Sequence, residues 1–287
     1  MQRIDIMTHL RARFLVILAA LGLCLLSRTQ PTRGDEAAEQ LVLATYKVAG
    51  EGSTATCIAV RHETEGKEGH NFVVTAGHVL EQMKGDTCTL VARKRLDDGR
   101  YHRQEVRLPI REGGRPLWTR HGRHDLAVLP LPAAIEVETL PFDCLPTEEQ
   151  LAAVRVGDAL RLAVFPERAE ANAAGIPILR SGSIASHPIV PVDPHPVFFV
   201  DTTSWSGDSG GPVIHATLRS PSGGPMVIGI IRGMRRITET LKESRFVERR
   251  IHYPLGISEV LHATFLRTII EKAVEEKSVP EEDVTEE

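Results

Sequence analysis

The sequence predicts an all-β protein: two six-stranded antiparallel β-barrels followed by a C-terminal helix. Three observations carry this. Short runs rich in Val, Ile, Thr and Phe recur along residues 45–131 and again along 159–257, without intervening helices, and short strands at that spacing read as antiparallel barrels. A proline-punctuated stretch separates the two sets, and an amphipathic pattern follows the last strand.

In chain order, residues 1–34 differ in kind from the rest. Arg3, Arg11 and Arg13 precede the apolar run Phe14 to Leu26, and the chain turns polar at Ser27. These are the charged and apolar regions of an export signal, and the run falls short of the roughly 20 residues a membrane span needs. The expectation is an exported protein, with an uncleaved form anchored to a membrane through residues 14–26. Residues 35–44 suit a short helix with an acidic first turn. Residues 35–135 hold the first barrel, with strands at Thr45 to Val48, Thr54 to Val60, Phe72 to Thr75, Thr87 to Ala92, Glu105 to Ile110 and Leu126 to Leu131. Residues 136–155 form a linker, in a stretch marked by Pro130, Pro132, Pro141 and Pro146 and containing a helical turn at Thr147 to Val154. The second barrel, 156–257, has strands near Ala159 to Val164, Ile178 to Ala185, Val197 to Asp201, Pro212 to His215, Met226 to Ile231 and His252 to Ile257. From Ser258, the residues Val260, Leu261, Phe265, Leu266, Ile269, Ile270 and Val274 recur at helical spacing, which predicts a helix over 258–275. Residues 276–287 are acidic and lack core residues, as a disordered tail does.

Composition narrows the function. With 42% hydrophobic and 25% charged residues the chain is an ordinary globular protein, and a formal charge of −4 leaves no footprint for nucleic acid. Neither C-x-x-C nor H-E-x-x-H spacing occurs. His121 and His124 form a short H-x-x-H beside Asp125, read as solvated loop histidines and not as a zinc site. No metal and no cofactor is expected.

The chemistry centres on Gly207-Asp208-Ser209-Gly210-Gly211-Pro212. A serine between glycines can sit on a tight turn with its hydroxyl exposed and backbone N–H groups converging beside it. Such a nucleophile needs a base, and the base needs an orienting carboxylate. His78 ends the strand-like run Phe72-Val73-Val74-Thr75-Ala76-Gly77-His78, and Asp125 stands at the mouth of the apolar strand that follows it. The order is His, Asp, Ser. A G-x-S-x-G elbow of the α/β-hydrolase kind needs its acid and histidine after the serine; the only aspartate after Ser209 is Asp283, in the charged tail, and Glu239, Glu243 or Glu248 ahead of His252 could substitute in principle, though none sits at a strand end.

Thr75-Ala76-Gly77-His78, Asp125-Leu126-Ala127-Val128-Leu129 and the Ser209 motif resemble the three catalytic motifs of trypsin-like (chymotrypsin-fold) serine peptidases. Val156-Gly157-Asp158-Ala159-Leu160 leading to Phe165-Pro166, and Tyr253-Pro254-Leu255-Gly256-Ile257, are similar to segments of the bacterial HtrA-like and glutamyl-endopeptidase-like branch. The resemblance covers roughly residues 40 to 275, without room for a PDZ domain. It implies a chymotrypsin-like double barrel acting on protein or peptide substrates. Ser209 would be the nucleophile, His78 the base and Asp125 its orienting acid, with the N–H groups of Gly207 and Ser209 as the oxyanion hole.

It implies four further expectations. Members often carry a disulfide near the catalytic histidine, which makes Cys57 and Cys88 the expected pair; the alternative is three buried thiols. Asp208 pairs with a freed N-terminus in zymogen-activated relatives, but no Arg-Ile-Val-Gly-Gly-like site occurs here, so it has another partner or faces solvent. Arg232 stands where relatives place a serine that supports the catalytic aspartate. Substrate would meet Thr203, Ile231, Arg232 and Gly233, and the neutral Thr203 favours small or medium uncharged side chains over Arg or Lys. The competing readings are a catalytically silent double-barrel binding protein and an esterase using the same triad.

Overall fold

The computed structural model describes residues 35–63, 69–243 and 247–278. The expected export segment and all but the start of the acidic tail lie outside the described residues. Helix α1 (Glu36–Ala44) leads into β1 (Thr45–Glu51). Its last carbonyls are capped from afar: the guanidinium of buried Arg93 donates to the carbonyls of Val42, Leu43 and Thr45, the favourable placement for a cation at a helix C-terminus.

The first half contains β2 (Ser53–His62), β3 (His70–Thr75), β4 (Lys84–Arg95), β5 (Tyr101–Pro109), the small β6 (Arg111–Glu112), β7 (Arg115–Pro116) and β8 (Thr119–Arg120), then β9 (Ala127–Pro130) and β10 (Leu140–Pro141). One curled sheet runs β5-β4-β1-β2-β3-β9-β8, and β10 adds to β2 in parallel. Six strands were expected; this sheet has eight because the two-residue β8 and β10 are too short to show as runs. The expected strand end at His78 is instead a short helix, α2 (Gly77–Gln82).

The linker holds α3 (Glu148–Leu151), whose capping box pairs the Thr147 hydroxyl with the Gln150 N–H and the Gln150 side chain with the Thr147 N–H. The second half has β11 (Ala159–Val164), β12 (Ile178–Ser183), β13 (Val197–Asp201), β14 (Pro212–Arg219), β15 (Pro225–Lys242) and β16 (Glu248–His262), paired in the order β12-β11-β14-β15-β16-β13. A bridge between Ile184 and Val200 closes the ends of that order into a barrel. The outer parts of β15 and β16 pair with each other from Arg236–Pro254 to Lys242–Glu248 as a largely exposed ribbon. The closing helix, α4, runs Thr264–Ser278, not 258–275. Ser258 to His262 stay in β16 because the ladder to β13 runs through Leu261, and Val260 is buried against the second barrel.

Alternation along the strands explains the continuous apolar runs. Cys57, Ala59 and Val73 point into the first barrel, whereas Ile58, Val60, Phe72 and Val74 point the other way, into a shared core. Ile214, Val227 and Ile230 of the second barrel meet them there, with Leu266, Ile269, Ile270 and Ala273 of α4 at i, i+3, i+4 and i+7. Each of the Val, Leu, Ile and Phe side chains, fully buried, contributes about 1.5–3 kcal/mol. The barrels are thus joined by an apolar layer, which fixes one against the other at the site.

The three described cysteines are free and buried. The expected Cys57 to Cys88 bridge is therefore corrected to its alternative. The Cys57 thiol lies in the first barrel core with its sulfur 3.5 Å from the Tyr46 carbonyl, and burial drives it well above the usual thiol range.

Candidate active site

His78 is presented by the end of β3. After Thr75 the chain turns through Ala76 into α2, where Val79 and Leu80 bury themselves and turn His78 outward. Thr75 pairs with Ala127 at the start of β9, so the residues just before β9 lie beside the start of α2. Asp125 uses that proximity twice. Its Oδ1 accepts the His78 backbone N–H at 2.7 Å, and its Oδ2 lies 2.6 Å from His78 Nδ1. A Cβ at Gly77 would come within 3.0 Å of Asp125 Oδ1, so glycine is what admits the carboxylate. An ionised carboxylate only accepts, so Nδ1 carries the proton and Nε2 is left as the basic nitrogen. Burial alone would raise the Asp125 carboxyl, but the hydrogen bonds and charge of His78, with the charge of Arg232, outweigh it and hold it below its ordinary value.

Ser209 rides on a turn that glycines make possible. Gly207 (φ 96) and Gly210 (φ 84) adopt left-handed backbone, which side chains on L-residues disfavour. A Cβ at Gly207 would overlap the Phe165 carbonyl, and one at Gly210 would overlap the Thr56 carbonyl and the Thr75 hydroxyl. The Ser209 hydroxyl donates to the Arg232 carbonyl at 3.4 Å, and no hydrogen bond joins it to His78.

The backbone around Ser209 has a definite polarity. The Ser206 carbonyl accepts from Glu167 N–H at 2.6 Å, and the Asp208 carbonyl from Gly211 N–H at 2.9 Å. In a planar trans peptide the C=O and N–H point opposite ways. The N–H groups of Gly207 and Ser209 are therefore turned away from those partners, and neither donates to an acceptor among the described residues. Glu167 and Arg168, at φ 49 and 68, are the non-glycine residues with positive φ among those described, and backbone strain of this kind gathers at functional sites.

The sequence matches the family model for the trypsin-like peptidase domain over residues 55–220, a span that includes His78, Asp125 and Ser209. The chain belongs to the trypsin-like peptidase domain family. A crystal structure of Rv3671c from M. tuberculosis H37Rv, a serine-to-alanine mutant in inactive form, is similar to it at 16% identity and a TM-score of 0.44, covering 86% of this chain and 94% of that one. No curated protein matches it.

Within this peptidase domain the remaining expectations can be located. Asp208 does not face solvent. Its side chain is fully buried, with Oδ2 accepting from Trp205 N–H at 2.9 Å and from Arg180 at 3.1 Å, while Arg180 also donates to the Thr202 hydroxyl. Arg180 on β12 is the partner that the sequence left unnamed. Burial, with the charge of Glu167, raises the Asp208 carboxyl to about 6 against the opposing effects of Trp205 and Arg180, and its Oδ1 has no partner.

Between about pH 4 and 6 the folded chain holds a proton on Asp208 that the unfolded chain releases, so this group's contribution falls as pH rises through that window and is flat above it. We expect the wild-type-minus-Asp208→Asn difference in unfolding free energy to fall by about 2–3 kcal/mol from pH 4 to 6.5. Urea titrations across that range check this, and a flat difference contradicts it.

Ile231 is placed by its backbone. Its side chain is buried in the second barrel core, its N–H donates to Gly211 and its carbonyl accepts from Gly210. These bonds tie it to the serine turn. Gly233 has open space where a Cβ would be, and a Cβ at Gly256 would lie 3.9 Å from the Thr203 hydroxyl. Next to Thr203, Ser204 and Ser258 share a 2.5 Å hydroxyl contact, and Ser258 donates to the Thr202 carbonyl. Arg232 is partnered by Glu259 at 3.6 Å, and Glu259 is held in turn by Arg235 at 2.6 Å. Both Asp125 oxygens are engaged by His78, and the charge of Arg232 adds the smallest of the effects that lower its carboxyl.

His121 and His124 are half-buried in the loop before β9. His124 lies 4.0 Å from the Phe265 ring, and His121 Nδ1 accepts the N–H groups of Arg123 and His124. Among the described residues no group of three or more His, Cys, Asp or Glu is arranged to hold a metal.

Proposed function

We propose that the chain is an exported serine endopeptidase with His78, Asp125 and Ser209 as its catalytic residues. One observation carries the reading: the double grip of Asp125 on His78, in a domain whose Ser209 turn leaves the N–H groups of Gly207 and Ser209 without an acceptor among the described residues. On engaging substrate, the Ser209 hydroxyl rotates from the Arg232 carbonyl to His78 Nε2; such bonds are often unmade without substrate. Ser209 Oγ then attacks the scissile carbonyl carbon and its proton passes to Nε2. The N–H groups of Gly207 and Ser209 hold the oxyanion, a contribution worth roughly 3 kcal/mol per donor. Collapse expels the amine, which takes the proton from His78, and leaves an ester on Ser209. Water, activated by the same imidazole, hydrolyses that ester.

Two features refine the reading. Arg180 neutralises Asp208 from within the chain, so the serine turn needs no freed N-terminus. The hydroxyls of Thr203, Ser204 and Ser258 supply no carboxylate to the primary pocket, which favours small or medium uncharged residues before the scissile bond. Digestion of a peptide library tests both reaction and preference. Cleavage after such residues is expected; cleavage dominated by Arg or Lys contradicts the pocket assignment, and turnover of p-nitrophenyl esters with no peptide cleavage favours the esterase.

A further inference from the structure

Thr56 lies in β2 of the first barrel, wholly buried and far from the serine motif in sequence. It pairs with Lys47 of β1 on one side. On the other side β3 has already diverged, since the β2–β3 ladder begins at Ile58 and Val74. The vacant edge is taken by the serine turn. Thr56 N–H donates to the Ser209 carbonyl at 3.0 Å, and Thr56 Oγ1 donates to the Gly207 carbonyl at 2.7 Å. The same Oγ1 accepts from Phe165 N–H at 3.2 Å, and the Thr56 carbonyl accepts the Thr75 hydroxyl at 2.8 Å.

The peptides from Ser206 to Gly210 are thereby pinned one by one. Ser206–Gly207 is fixed by Glu167 and Asp208–Ser209 by Gly211, while the Gly207 and Ser209 carbonyls of the other two are fixed by Thr56. Phe165, anchored by the same hydroxyl, begins the short stretch that reaches Glu167. One hydroxyl in the first barrel therefore sets the orientation of the second barrel's turn, next to β3, which leads into the helix that carries His78.

We propose that Thr56 is a positioning residue for hydrolysis, its hydroxyl holding the Gly207 peptide so that the N–H groups of Gly207 and Ser209 stay aimed at the developing oxyanion. The proposal rests on the assignment of Ser209 as nucleophile. Thr56 touches no substrate, so its loss acts on the transition state through the turn. A small misplacement of such donors is enough to cost one to two orders of magnitude.

The test compares Thr56→Val, which keeps the shape and removes the hydroxyl, with Thr56→Ser, which keeps the hydroxyl and removes the methyl. Both are assayed on a peptide substrate below their melting midpoints. Thr56→Val is expected to lower kcat about 10- to 100-fold with KM within about twofold, and Thr56→Ser to stay within about threefold of wild type in both. Where Thr56→Val does not fold, Thr56→Ala removes the same hydroxyl and carries the same expectation. Unchanged kcat in the hydroxyl-free variant, a loss confined to KM, or an equal loss in Thr56→Ser overturns the proposal. Ser209→Ala in the same assay separates the two claims, because its inactivity leaves the nucleophile assignment standing whatever Thr56 does.

Discussion

Ser209→Ala is expected to lower kcat/KM on peptide substrates by about 10⁴-fold or more while leaving the melting midpoint within about 2 °C of wild type. The size follows from losing the covalent route, since a fall of 10⁴ is about 5.5 kcal/mol of transition-state stabilisation. The intact fold follows from the geometry. The hydroxyl makes one long bond, to the Arg232 carbonyl, whereas the turn is held by the Ser209 carbonyl on Thr56, by Gly210 on Ile231 and by Gly211 on Asp208. None of these involves Oγ. Steady-state kinetics with thermal melting decide it, and peptide cleavage within tenfold of wild type excludes Ser209 as nucleophile.

Gly210→Ala carries the second large effect, for a different reason. An alanine there adopts left-handed backbone at about 1–2 kcal/mol, and its methyl would overlap the Thr56 carbonyl and Thr75 hydroxyl. A backbone carbonyl in a central strand cannot step aside cheaply, so the serine turn must move off β2. We expect a stability loss of about 3 kcal/mol or more, seen as a melting shift of roughly 6–12 °C, and a fall in kcat/KM of at least about 100-fold. Gly223→Ala is the control. Gly223 has nearly the same φ, 86, but nothing within 4 Å of its Cβ position, so only the backbone cost of about 1–2 kcal/mol applies. Equal losses in the two variants would show that strain, and not the contact with Thr56 and Thr75, makes glycine necessary at 210.

Much of the frame was legible from the chain because it is local. β11 and β13 begin and end where alternation and turn residues put them, at Ala159–Val164 and Val197–Asp201. The three motifs could be ordered because each carries its own signature of glycine and strand-end polarity. What the sequence hid depends on partners far along the chain. Nothing in the spacing marks Arg180 as the partner of Asp208, 28 positions on, or Thr56 as the anchor of Gly207, 151 positions on. Ile58, Val60, Phe72 and Val74 read as ordinary strand residues; that they face a core shared with the second barrel follows only once the sheets are stacked. Ser258 to His262 showed helical spacing and are strand, because pairing with β13 overrides a local pattern five residues long. Nor does the spacing show that the Ile231 backbone bonds both Gly210 and Gly211 of the serine turn.

The most direct test of the central claim is where an activated phosphorus electrophile attaches. Wild-type protein treated with a fluorophosphonate is expected to gain a single adduct, mapped by peptide mass spectrometry to Ser209, and Ser209→Ala to gain none. A wild-type protein that stays unlabelled, or carries the adduct on another residue, contradicts the assignment of Ser209, His78 and Asp125.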